Sequence, residues 1–71
     1  MLYAVSQYYI IDGFVDFEGY VKVFYNFHKA MEYAFKQTVD GESEYFHVEP
    51  MPEKVVYAGG LGDLIVPLTD S

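Results

Sequence analysis

Between Leu2 and Ile11 the chain reads LYAVSQYYII, a run of β-branched and aromatic side chains with no breaking residue, which predicts a first β-strand. Asp12-Gly13 ends it. Residues 14 to 19 read as a loop or bend. Tyr20-Val21-Lys22-Val23-Phe24 then alternates as a second strand should, pairing antiparallel with the first in a long hairpin. At Asn26 the pattern changes period. The Asn26 side-chain oxygen can accept from the free amides of a first helical turn, and Phe27, Ala30, Met31, Ala34 and Phe35 follow at helical spacing. His28, Lys29, Glu32, Lys36 and Gln37 take the other side. Glu32 and Lys36 stand four apart in the favoured order, worth about 0.3 kcal/mol. Asp40-Gly41 is a turn signal, so the helix is expected to end near residues 37 to 39.

Residues 44 to 49 predict a third strand, with Phe46 and Val48 on one face and Tyr45, His47 and Glu49 on the other. Pro50 and Pro52, lacking a donor for a ladder, are expected to close it. Lys54-Val55-Val56-Tyr57 reads as a short fourth strand, Ala58 to Gly62 as a flexible turn, Leu64-Ile65-Val66 as a fifth strand, either at an edge or exchanged with a partner, and Pro67 to Ser71 as a frayed tail. The order β-β-α-β-β predicts a single α+β domain over residues 1–71, with one amphipathic helix packed on one face of a small antiparallel sheet.

Composition changes this picture in two ways. Seventy-one residues without cysteine lie near the lower limit for a self-sufficient core, and disulfides and thiolate metal sites are excluded. Eight Tyr and six Phe supply large buried area at low rotamer cost, and a second subunit would add more, so a homodimer is expected. Charge sets the partner class. Eleven acidic residues against four lysines, with no arginine, give a net charge of -7. Contacts to phosphate and to guanine edges need cations, so direct binding of nucleic acid or of an anionic membrane is not expected. The amino-terminal residues lack the basic and long apolar regions of a signal peptide, which points to the cytoplasm.

Candidate chemistry is sparse, and neither a cofactor nor a metal is expected. Asp40-Gly41-Glu42-Ser43-Glu44 has the wrong glycine position for a calcium loop, and Met51 stands where the bidentate Glu belongs. Gly59-Gly60-Leu61-Gly62 is followed by no Lys-Ser/Thr, so it reads as a turn and not a phosphate cradle. His28 and Glu32 share a helix face but lack a third ligand. Ser6, Ser43 and Thr38 stand in no nucleophile pattern, so the chain reads as a non-enzyme.

The acidic residues group as Asp12, Asp16 and Glu18 in one region and Asp40, Glu42, Glu44, Glu49 and Glu53 in another. Residues 38 to 53 contain no lysine, which is more one-sided than solubility requires. Alternate side chains of an extended strand lie about 6.6 Å apart, close to twice the ~3.4 Å rise between phosphates on one DNA strand. Alternating carboxylates can therefore stand in for a row of phosphates and be steered into a basic groove.

A small, cysteine-free, acidic and aromatic-rich chain resembles the host-takeover proteins of bacteriophages, in particular DNA-mimic inhibitors such as those of the bacterial histone-like protein HU. The second strand running into Phe24-Tyr25-Asn26-Phe27-His28-Lys29-Ala30, then Tyr33-Ala34, is similar to the strand-cap-helix unit of many small phage proteins. The resemblance spans residues 2 to 50 and brings no catalytic signature. It implies an inhibitor, acting in the host cytoplasm, that covers the DNA-binding surface of a nucleoid-associated protein. On this reading Asp12, Asp16, Glu18, Asp40, Glu42, Glu44, Glu49 and Glu53 contact the partner. The alternative is an adaptor or regulatory protein binding through exposed aromatics such as Tyr8, Tyr9, Tyr45 and Tyr57, which salt would not release.

Overall fold

A computed structural model describes residues 1–40 and 44–68, with only the backbone of Asp40. Strand β1 (Leu2–Ile11) pairs antiparallel with β2 (Phe14–Phe24) on one side and with β3 (Glu44–Met51) on the other, in the order β2-β1-β3. Helix α1 (Phe27–Asp40) crosses from β2 to β3 over one sheet face. The α+β class and the single long helix are as the sequence indicates, but the sheet has three strands, not four or five.

The hairpin turn is tighter than expected. Asp12 (φ 50°) and Gly13 (φ 82°) both take the left-handed conformation, the two-residue turn whose twist matches that of the flanking strands. Asp12-Gly13 thus joins two strands instead of merely ending one. Phe14 to Gly19, expected as a loop, belongs to β2, and register shifts between Val5/Ser6 and Gln7/Tyr8 absorb its extra residues. β3 runs through Pro50 to Met51 because it is an outer strand of the sheet, where a residue without N–H costs no ladder bond. The other exposed side of that edge is guarded too: the Phe46 N–H donates to Thr38 Oγ1 at 3.0 Å.

The expected fourth strand is a helix, α2 (Glu53–Ala58). Pro52 precedes its first residue, which suits proline's fixed φ, and its carbonyl accepts from the N–H groups of Val55 and Val56. Gly60 (φ 75°) stops it: the Leu61 N–H donates to Val56 O and the Gly60 N–H to Tyr57 O, the paired bonds of a Schellman motif. The Gly-rich segment is therefore a helix stop. The expected fifth strand reduces to a 3-10 turn over Gly62–Leu64 and a single parallel bridge, Val23 to Ile65, with the Val66 N–H donating to Val23 O.

Two small cores lie on opposite faces. Leu2, Ala4, Val23, Met51 and Val56 form one, sealed by Leu61, Leu64 and Ile65. Val5, Ala30 and Ala34 form the other, with Tyr3, Val21, Phe24, Tyr33, Phe46 and Val48 packed around them. Asn26 caps α1 as its sequence indicates, its Oδ1 accepting from the Lys29 N–H at 3.2 Å. The helix is rotated from the expected position, however. Its small residues, Ala30 and Ala34, face the sheet, whereas Phe27, Met31 and Phe35 are exposed.

Candidate binding surface

Among the described residues, α2 and the 3-10 turn after it pack on the Leu2, Ala4 and Val23 end of the sheet face opposite α1. Aromatic side chains tile the other end of that face. Strand alternation places Ser6 and Tyr8 on this face after Leu2 and Ala4, and the register sets Tyr8 between Tyr45 on β3 and Phe17 on β2. Tyr8 stacks on Tyr45 with centroids 5.0 Å apart and planes within 7°. Phe17 meets Tyr8 edge to face at 5.4 Å, and Tyr20 meets Phe17 likewise at 5.4 Å. His47 stands edge-on to Tyr8 at 6.5 Å. Each aromatic contact contributes roughly 0.5–1.5 kcal/mol beyond area burial. Phe17 nevertheless remains half in solvent, and the rings present a preordered apolar surface.

This surface continues into an arm. The described pairing with β3 stops at Tyr9 and Glu44, while β1 and β2 run on together to Ile11 and Phe14. Ile10, Ile11, Phe14 and Val15 are all exposed there, Phe14 to 74%. The molecule measures 37 × 24 × 17 Å. A ribbon tip carrying four large apolar side chains is not a way to build a core.

One polar bond anchors the inner margin of the open face. Tyr20 Oη donates to Glu49 Oε1 at 2.7 Å. That bond, with burial and the Glu49 charge adding to it, pushes the Tyr20 hydroxyl from 10.0 up to about 12. The neutral phenol is the form the fold favours, so its contribution is fully present below pH 10 and is lost as pH rises through about 12. Denaturant midpoints measured across that window should fall more steeply in the natural chain than in Tyr20→Phe. Equal slopes would remove the bond from the account.

The carboxylates singled out from the sequence divide between surfaces. Asp12 occupies the turn at the tip of the arm, and Asp16 and Glu18 are exposed on β2 behind it. Asp16 and Glu44 both stand opposite Tyr9, one on each side, so they share the α1 face of the sheet. There Glu44 accepts from Gln7 Nε2. Glu49, five residues on, lies on the opposite face with Tyr20, and Glu53 opens α2. The Asp40 side chain and all of Glu42 lie outside the described residues, as does the turn at Gly41. Asp12 thus sits at the ribbon tip, Asp16 and Glu18 stand farther back on β2, and the second group does not form one described row. Of the aromatics singled out, Tyr8 and Tyr45 meet, Tyr9 lies on the other face, and Tyr57 sits on α2. Sequence reasoning passed over Ile10, Ile11, Phe14, Val15 and Phe17; the signal was Asp12-Gly13 flanked by apolar residues, a hairpin sign.

A depression of about 380 Å³ lies between α1 and β3, lined by Phe27, Met31, Ala34, Phe35 and Thr38 of α1 and by Phe46, His47 and Val48 of β3. Its polar lining residues are Thr38, whose Oγ1 accepts from the Phe46 N–H, and His47. Among the described residues no group of three or more His, Asp or Glu could hold a metal ion, and no helix is long and apolar enough to cross a membrane. Comparison with protein-family models, curated proteins and solved structures finds no match for this chain.

Proposed function

We propose that this chain is a non-enzymatic acidic binding protein that takes a basic protein partner on its arm and open aromatic face. The observation that carries this reading is the set Ile10, Val15, Phe17, Tyr8 and Tyr45 on one face of the sheet, with Ile10, Val15 and Phe17 exposed, Asp12 at the adjoining turn and Glu18 next to Phe17 in sequence, while Phe14 and Asp16 point to the other face. Aromatic faces receive guanidinium and ammonium groups, and carboxylates beside them pair with the same cations. A net charge of -7 raises the encounter rate with a basic surface before any contact forms.

In its finer form the reading makes the partner a DNA-binding protein of the histone-like type and the chain a competitor of DNA. In that form Asp12, Asp16 and Glu18 stand in for phosphates, and the exposed apolar side chains of the ribbon add contact area. Purified histone-like protein HU with a labelled duplex tests it. Displacement of the duplex at low salt, weakening at least tenfold as salt rises from about 0.05 to 0.5 M, is the expected result. Tight binding to the aromatic face that does not change with salt would favour the adaptor reading. No binding to HU at low salt would remove the finer form.

A further inference from the structure

The two outer edges of the sheet are closed to different degrees. Along β3, Thr38 Oγ1 takes the outward N–H of Phe46, and Pro50 has no N–H to offer. Along β2 the two-residue turn makes Ile11 and Phe14 a bonded pair, and bonded and non-bonded pairs alternate from there. Phe14 and Asp16 therefore turn their N–H and C=O toward β1, while Val15 and Phe17 turn theirs outward. The same alternation, carried through both register shifts, sets the Val23 carbonyl outward, where it accepts from the Val66 N–H at 2.8 Å. Among the described residues, that bond and the parallel Val23–Ile65 bridge are the backbone pairing on this edge. An extended segment of the chain itself thus already uses one end of it. At the other end, Phe14 to Phe17 is regular and unpaired on its outer side, the irregularities falling beyond Phe17.

Charge and alternation select the occupant. Val15 and Phe17 set their side chains on the aromatic face and Asp16 on the other, with Asp12 at the turn and Glu18 following Phe17. A strand laid beside them brings side chains against Val15 and Phe17 on one face and, between these, one side chain against Asp16 on the other. Apolar, basic, apolar is the matching order. A second copy of this edge would set Asp16 and Glu18 against like charges in a chain of net charge -7, so self-pairing is opposed. Nucleic acid carries the wrong charge and has no amide ladder to offer.

We infer that the β2 edge takes an extended segment of a basic protein by strand addition, the segment alternating apolar and basic side chains and bonding its backbone to Val15 and Phe17. The ladder supplies affinity, and the alternate side chains supply selection. The inference rests on the basic-partner reading above and adds to it the form of the bound segment, a strand and not a helix.

Amide hydrogen exchange of the full isotope-labelled chain, with and without an acetylated peptide of about six alternating valines and lysines, tests it. In the free chain the Val15 and Phe17 amides should exchange faster than those of Phe14 and Asp16, which are bonded to β1. Saturating peptide at low salt should slow Val15 and Phe17 at least tenfold. Val15→Pro removes one outward donor without altering charge, at an exposed edge position where proline is tolerated. It should keep the fold by circular dichroism and weaken peptide binding at least fivefold. A peptide that binds without slowing those two amides overturns the inference and leaves the basic-partner reading standing. Equal affinity of a folded Val15→Pro chain does the same. A peptide that fails to bind at low salt also overturns it, and displacement of the labelled duplex then decides the parent reading separately.

Discussion

Replacing Ala30 by leucine lowers the unfolding free energy by about 2 kcal/mol, while replacing Phe35 by alanine at low protein concentration changes it by less than about 0.5 kcal/mol. The first value follows from burial. Ala30 is fully enclosed between the helix and Val5, where extra methylenes find no space and α1 must lift from the sheet. Phe35 is 72% exposed and loses little when truncated. In a domain of this size a 2 kcal/mol loss shifts the melting midpoint by roughly 8–16 °C. The order is the reverse of what side-chain volume suggests, so thermal unfolding of the two variants tests directly which side of α1 faces the sheet. A costly Phe35→Ala with a neutral Ala30→Leu would mean that the helix is turned the other way.

That rotation shows where sequence pattern stops being informative. The period of 3.6 identifies α1, and Asn26 marks its start, but the apolar arc of Phe27, Ala30, Met31, Ala34 and Phe35 is wide enough to allow several rotations. The sheet settles the matter, because Val5, Phe46 and Val48 already fill the interface and leave room for alanine only. β1 was legible to its ends because LYAVSQYYII has no competing pattern. β2 was not, since Asp16, Glu18 and Gly19 mimic loop composition while the ribbon keeps both faces in solvent at that point and so imposes no apolar alternation. Lys54 to Tyr57 carries β-prone side chains, yet Pro52 before it and Gly60 after it are helix punctuation, and one buried residue, Val56, is all the packing it requires. For the carboxylates, parity was readable in advance: Glu44 and Glu49 are an odd number apart on one strand and must face opposite ways. What could not be read was that Asp12, Asp16 and Glu18, grouped in the sequence, fall on a paired ribbon that also exposes Phe14 and Phe17, because that depends on β2 beginning as early as Phe14.

The second large effect is expected on that arm. Changing Asp12 and Asp16 to Asn and Glu18 to Gln together should weaken binding to a basic partner at least tenfold at low salt. Most of the loss should appear in the association rate, since steering is what the charges supply before contact. The slope of affinity against salt should flatten correspondingly. The fold should persist, because all three side chains are exposed and asparagine tolerates the left-handed conformation that Asp12 adopts at φ 50°. Glu53→Gln on α2 serves as the control and should change affinity little. Stopped-flow association at two salt concentrations separates these cases, and equal loss from Glu53→Gln would mean that only total charge matters.

The central claim is that the arm and the open aromatic face are the surface a basic protein recognises. Chemical-shift mapping of the isotope-labelled chain during titration with purified HU addresses it most directly. Perturbations should concentrate on Tyr8, Ile10, Phe14, Val15, Phe17 and Tyr45 and leave Phe27, Met31 and Phe35 of α1 unmoved. Perturbations confined to α1, or spread evenly over every acidic residue without the aromatic strip, would contradict it.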